Sequence, residues 1–411
     1  MPYIFPISRY TNMKCEDTLD FVKQEVYENI DLLKPLLQRT SKEIHNHPEL
    51  QFEEFYASSL LADIVKEEGF EVKKNVAGLD TAFKAVCRKD ADHPRVAFLS
   101  EYDALPGLGH ACGHNLIATA SLAAAMGLAK LERLPGTVEL IGTPAEEGGG
   151  GKVLLAKNGV FDDSDAAFIF HPANKNQLWK YAMASNVVNI EFHGKASHSA
   201  SSPEMGINAL DAIIQTFNNI NALRQHLRTD VRIHGIITDG GTAPNIVPDY
   251  ASALFYIRSL DDVYCEEVVE KVRKCAQGAA LATGAELTFI RQETYKTLKT
   301  NMPLAEAFQK NAESIGIIFE ENEPFEDLGS TDMGDVSHIT PSIHPYLAIG
   351  PEQMLYHTVD FERASGSETG FEIMITAAKA LAATALDFIF DQEFRKSVED
   401  DFARPSRVKH C

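Results

Sequence analysis

Residues 95–131 read RVAFLSEYDALPGLGHACGHNLIATASLAAAMGLAKL. The apolar run at 95–100 predicts a buried strand, the Gly-rich loop after it carries Asp, Cys and His, and the Ala-rich stretch at 115–131 predicts a helix. Further strands are expected at 82–87, 137–142 and 166–170, and helical spacing of Leu32, Leu33, Leu36, Leu37, then Leu60, Leu61, Ile64 and Val65, marks helices within 18–70. Strands separated by helices define an α/β class with a helix-covered, largely parallel sheet.

The pattern changes after 185. A strand at 187–192, a helix at 206–225, strands at 232–238 and 250–258, a helix at 262–281 and a strand at 286–291 follow one another. That β-α-β-β-α-β order is the mark of a ferredoxin-like α+β unit. A helix near 303–315, strands near 317–319 and 345–349 and a helix at 366–390 resume the first pattern, so the small domain is an insertion. The expected divisions are 18–185 and 297–395 for the larger domain and 186–296 for the inserted one, with 395–411 charged and frayed.

Composition narrows the partners. A chain of 411 residues exceeds the size at which one core stops growing. With 38 basic against 59 acidic residues the formal charge is −21, which disfavours nucleic acid and anionic membrane. No basic segment followed by an apolar stretch opens the chain and no run of about 18 apolar residues is seen, so a cytoplasmic protein is expected. Six cysteines without a CxxC pair fit reduced thiols.

In open α/β sheets ligands collect beyond the carboxyl ends of strands. Four such ends are rich in donors: Asp103 with Cys112 and His114; Glu146 and Glu147 before four glycines; His171; and His357 after the strand near 345–349. Cys112 and His114 are two apart and share a metal only in a loop, for which Gly107, Gly109 and Gly113 give freedom. The dipole of the following helix is expected to lower the Cys112 thiol. Adjacent Glu146 and Glu147 in an extended segment would face opposite ways, one to a metal and one to the substrate as general base. His45, His47 and His110 have weaker claims. A dinucleotide site at Gly107-Leu-Gly109 is rejected because the third glycine falls at 113, one residue late, and a phosphate loop ending at Lys152 fails because no Ser or Thr follows.

These motifs, DALP, HACGH, EEG and HP with a late His, resemble the M20 family of metallopeptidases, in particular its amidohydrolase (M20D-like) branch. The likeness extends to GKASHSA around His198, GTAPNIVPD around Asn245 and GSTDM from Gly329. It implies a metallopeptidase catalytic domain with an inserted lid or dimerisation domain. It further implies two divalent ions on Cys112, His114, Glu147, His171 and His357, Glu146 as base, Asp103 as orienter, His198 at the oxyanion, and Asn245 and Arg258 at the substrate carboxylate. Arg258 in a structural ion pair is the competing reading. The wider family places a metal-binding His where this chain has Glu101, and the Cys112/His114 pair takes its place. Thiolate and imidazole favour zinc and carboxylates tolerate manganese, with cobalt also open. The implied substrate is a dipeptide, its C-terminal residue basic, or an N-acyl amino acid. Aminobenzoyl-glutamate-like conjugates, or a non-catalytic member binding amino-acid conjugates, are the alternatives. A homodimer through the inserted domain is implied as well.

Overall fold

The computed structural model describes residues 15–321, 325 and 328–404. The chain begins with α1 (Cys15–Asn46), α2 (Phe55–Glu67), β1 (Glu71–Lys74), β2 (Phe83–Arg88), β3 (Arg95–Glu101), α3 (His114–Ala129), β4 (Thr137–Thr143), α4 (Gly151–Lys157), β5 (Ala166–Phe168) and β6 (His171–Ala173). It continues through β7 (Ala184–His193), α5 (Ala209–Leu223), β8 (Arg232–Asp239), β9 (Tyr250–Ser259), α6 (Asp262–Thr283) and β10 (Glu286–Tyr295). It closes with α7 (Met302–Ser314), α8 (Met333–Ser337), β11 (Ser342–Ile343), β12 (Tyr346–Ala348), α9 (Val359–Ser365), α10 (Glu368–Phe390) and α11 (Gln392–Phe402). Two compact units result, one from 15–180 with 299–321 and 336–404, the other from Tyr181–Leu298 with 328–335.

In the first unit the sheet order is β1-β2-β4-β3-β5-β11. The β4-β3-β5-β11 part is parallel, while β2 and β1 add an antiparallel edge. β4 is buried along its whole length and β3 at all but its first residue, as expected for strands covered on both faces. Every residue of α3 is buried, because small side chains let α1 and α10 pack closely on it. At Gly127 a methyl group would come within 2.7 Å of Ile30 on α1. α10 is long and apolar enough by length and composition to cross a membrane, although Glu372 and Lys379 interrupt its apolar run. Here it is a core helix packed on α1, α3 and α7.

The second unit has the sheet order β10-β7-β9-β8 with every pairing antiparallel. Val188, Ile190, Phe192, Phe255 and Ile257 meet Ile213 of α5 and Val268 and Val272 of α6, so strand alternation supplies one half of a core and helical spacing the other. Asn208 caps α5 through the amides of Leu210 and Asp211, and Asp261 caps α6 through that of Tyr264.

Two expectations fail. Residues 317–319 form no strand: Asn176 engages both the Ile318 carbonyl and the Glu320 amide, leaving no ladder to join. Residues 395–402 are not frayed but helical, since Val398 is buried, its carbonyl accepts from Asn301 Nδ2 at 2.9 Å, and Asp401 accepts from the Met302 amide at 3.1 Å. Residues 405–411 lie outside the described residues.

Gly142 shows how tightly β4 is set. A methyl group there would meet the Phe83 ring at 2.2 Å and the Tyr102 hydroxyl at 2.7 Å, both buried. Gly142→Ala is expected to cost about 1–3 kcal/mol of stability through overpacking, read as a lowered midpoint in thermal unfolding.

Candidate metal centre

The loop after β3 turns back at Asp103, whose buried carboxylate has two tasks. Its Oδ1 accepts from His114 Nδ1 at 3.0 Å, and its Oδ2 accepts from the Glu147 amide at 2.9 Å. His114 Nδ1 also reaches the Asp103 carbonyl at 2.9 Å, so Nδ1 carries a proton and Nε2 points inward as the nitrogen a metal would take in place of a second proton. Between Cys112 and His114 stands Gly113 with φ +76°, where a methyl group would meet Pro172 at 2.8 Å. A glycine is therefore required for the loop to lie against the His171-Pro172 segment.

His171 opens β6, and its Nδ1 donates to the Pro172 carbonyl at 2.6 Å. Burial and the neighbouring His114 push this imidazole down to about 3, so the ring is neutral and Nε2 presents its lone pair. His357 has φ +58°, and its amide donates to the Ala111 carbonyl at 3.2 Å. That turn brings its Nε2 to 3.0 Å from Cys112 Sγ and 3.6 Å from Glu147 Oε2.

Three donor groups form, each with its ligand atoms within 4.8 Å of one another: Cys112, His114 and His171; Cys112, Glu147 and His357; and His114, Glu146 and Glu147. The five side chains expected to hold metal thus converge, and Cys112 belongs to two triads. Glu147 turns Oε1 towards His114, at 3.9 Å, and Oε2 towards His357. Among the described residues, buried His114 Nε2 and Glu147 Oε1 have no hydrogen-bond partner, an arrangement that fits cation binding. The electrostatics agree: burial alone would lower His114, yet Asp103, Glu101 and Glu147 outweigh it and raise the imidazole well above its usual value. A cluster that pulls a proton so strongly suits a divalent ion.

Two local expectations are corrected. The Cys112 thiol is raised well above its usual value, because burial and the carboxylates of Glu147 and Glu146 outweigh the helix dipole. Glu146 and Glu147 do not face opposite ways; Ala145 with φ +59° ends the extended run, so both carboxylates lie in one turn with His114.

His198, Asn245 and Arg258 belong to the second unit. The loops of His198 and Asn245 are laddered, His198 pairing with Ile246 and the Ser199 amide donating to the Asn245 carbonyl at 3.0 Å. His198 Nδ1 accepts from the amides of Ala200 and Ser201, both at 3.2 Å, which leaves Nε2 as the nitrogen able to donate. Arg258, near the end of β9, is half-buried over Tyr256 with no acceptor for its Nε among the described residues.

Sequence reasoning missed three neighbours of the centre. Lys152 Nζ lies 2.5 Å from Glu101 Oε1, both wholly buried, and Glu101 Oε2 is 3.6 Å from His114 Nε2. His344 stacks edge-on to His171 with ring centroids 5.5 Å apart. Lys180 lies over Tyr346 at 4.2 Å. A second His-Pro pair at a strand end, His344-Pro345, is a signal that would have found His344.

A largely parallel α/β sheet whose strand ends gather thiol, imidazole and carboxylate fits the class of metal-dependent hydrolases. Residues 97–387 match the model of peptidase family M20/M25/M40, and the chain belongs to that family. It is 39% identical to the Xaa-Arg dipeptidase of Homo sapiens, covering 93% of this chain and 92% of that one. It is 30% identical to one of the subunits of p-aminobenzoyl-glutamate hydrolase from Escherichia coli, covering 94% and 97%. The fold is shared with the aminobenzoyl-glutamate utilization protein of Klebsiella pneumoniae at TM-score 0.70, 20% identity and 90% and 99% coverage. It is shared too with a dinuclear metal-binding M20 peptidase of Bacillus subtilis at TM-score 0.65, 22% identity and 87% and 99% coverage. The protein is accordingly an amide hydrolase of the peptidase and amidohydrolase kind.

Cys112→Ala removes a donor common to two triads, as His114 and Glu147 also are, and is expected to lower bound metal per chain, measured by elemental analysis after dialysis; unchanged metal content contradicts the ligand assignment. Lys152→Met leaves Glu101 buried without its cation and should destabilise by about 3–5 kcal/mol in thermal unfolding, with Glu101→Gln added to it recovering much of the loss.

Proposed function

We propose that the protein cleaves the amide bond of a dipeptide with a basic C-terminal residue, using two divalent ions held by Cys112, His114, Glu147, His171 and His357. The observation that carries this reading is the pair of donor triads sharing Cys112, beside a second carboxylate, Glu146. The 39% identity to an Xaa-Arg dipeptidase over nearly the whole chain supports the substrate class. Zinc is the favoured metal on the thiolate and imidazole donors, with manganese next and cobalt open.

When bound, the ions supply Lewis-acid polarisation and a lowered pKa for water. Glu146 takes the proton of the attacking water and returns it to the leaving amine. Asp103 holds His114 in the tautomer that leaves Nε2 free. His198, whose acceptor nitrogen is already engaged, donates from Nε2 to the developing oxyanion, within its own chain or across a dimer. Asn245 and the half-buried guanidinium of Arg258 take the substrate carboxylate; the Nε, which has no acceptor among the described residues, supports that role over a structural ion pair. Pairing of the second unit with another copy is supported by β8, an edge strand with Ile236 and Ile237 exposed.

A second reading, hydrolysis of aminobenzoyl-glutamate-like conjugates, is favoured by the 30% identity to a hydrolase of that name. Metal-stripped protein should be assayed on alanyl-arginine, β-alanyl-lysine, an N-acetyl amino acid and p-aminobenzoyl-glutamate, with zinc, manganese or cobalt restored. Cleavage of the basic dipeptides alone upholds the first reading, and cleavage of the glutamate conjugate alone replaces it with the second. Glu146→Gln is expected to keep its metal while losing about 100-fold or more in kcat; full activity would remove Glu146 as base.

A further inference from the structure

We propose that Glu54, at the start of α2, is a positioning residue for the amide-cleaving site: one buried carboxylate pins two left-handed backbone positions together and thereby aims Glu146. The inference rests on Glu146 as general base.

Glu54 is wholly buried, and the partners that the structure gives its carboxylate are two amides and a hydroxyl rather than a cation. Its Oε1 accepts from the Phe52 amide at 2.9 Å and from the Ala145 amide at 2.8 Å, and its Oε2 accepts from Thr81 Oγ1 at 2.8 Å. Phe52 and Ala145 have φ +60° and +59°, a conformation that residues with a Cβ keep only when their surroundings impose it. Ala145 immediately precedes Glu146 and Glu147, so its dihedrals set the direction in which both carboxylates leave β4. Burial, with the charge of Asp103 beside it, pushes the Glu54 carboxyl up to about 7, a cost that a residue with no task would have little reason to carry.

The contact is one of several along the same line. A methyl group at Gly148 would meet the Gln51 side chain at 2.3 Å, and one at Gly149 the Phe52 ring at 2.3 Å, so residues 51–54 lie directly against the glycine run. On its other side the connection reaches the Asp103 loop, where the Ala104 amide donates to the Glu49 carbonyl at 2.8 Å. Thr81 is held in turn, since the Tyr102 hydroxyl donates to its carbonyl at 2.5 Å. The α1–α2 connection thus fastens together the two strand-end loops that carry Asp103, Glu146 and Glu147. Glu147 is held independently through its amide on Asp103 Oδ2, so loss of Glu54 should misaim Glu146 and act on turnover rather than on binding of substrate or metal.

The full chain, metal-loaded, is to be compared as parent, Glu54→Ala, Glu54→Gln, Thr81→Val and Glu146→Gln on whichever panel amide the parent cleaves. Glu54→Ala is expected to lower kcat by about 10–100-fold while KM stays within about three-fold, because small misplacements of a reacting group are that costly. Its metal content should equal the parent's. Glu54→Gln, whose amide oxygen can accept from both backbone groups, should stay within about three-fold of the parent. Amide hydrogen exchange across 144–151 should rise about ten-fold or more in Glu54→Ala and little in Glu54→Gln. The inference is overturned by a Glu54→Ala kcat within three-fold of the parent, by equal losses in the two Glu54 variants, by metal lost in step with activity, or by unchanged exchange. If Glu54→Ala does not fold, Thr81→Val, which is isosteric and frees Oε2, should lower kcat by about three-fold or more at constant KM; a parental kcat there overturns it too. Activity surviving in Glu146→Gln would sink the general-base reading, whereas an inactive Glu146→Gln beside a fully active Glu54→Ala would sink only the role of Glu54.

Discussion

An excess of buried negative charge at the carboxyl ends of the parallel strands is the constraint around which the first unit is arranged. Glu101 and Asp103 are almost wholly removed from water, Glu147 nearly so, and the Cys112 thiol lies among them. Uncompensated, such a cluster would be far too costly to fold around. The chain offsets part of it with Lys152, placed against Glu101, and part with the polarised ring of His114. The remainder fits divalent ions, which makes the same charge imbalance both a burden on stability and the basis of the chemistry.

Holding that arrangement demands unusual backbone. Gly113, Ala145 and His357 all adopt positive φ, and each stands at or beside a residue of the donor cluster. Gly113 does so without penalty, but Ala145 and His357 must be held by their neighbours, through Glu54 and through the Ala111 carbonyl. The strained positions are those where a regular strand or helix would have pointed the donors apart. Local preference yields to function where tertiary contacts are strong enough to impose it.

The second unit solves a simpler problem. Its core is closed by alternating strand residues against two amphipathic helices, and its caps are the Asn and Asp that the sequence places at the helix starts. That leaves the loops around His198 and Asn245 free to carry polar groups on exposed backbone, with the laddering between them fixing their mutual register.

Much of this was legible in the residues. Hydrophobic periodicity and element order suffice for the two folds, because both are short-range properties of the chain. The donors could be named because Cys112 and His114 lie two apart in a glycine-rich loop, and because Glu146, Glu147, His171 and His357 all follow strands. What the sequence could not decide was direction and environment. The common facing of Glu146 and Glu147 depends on one left-handed residue, the raised Cys112 thiol on burial among carboxylates, and the ordered helix after Asp391 on contacts with Asn301 and Met302. Glu54 and Ala145 are 91 positions apart, so no local spacing pairs them. Periodicity records what a residue does to its own strand or helix; charge balance and backbone strain arise only when distant segments are brought into contact and water is removed, and those the tertiary structure alone decides.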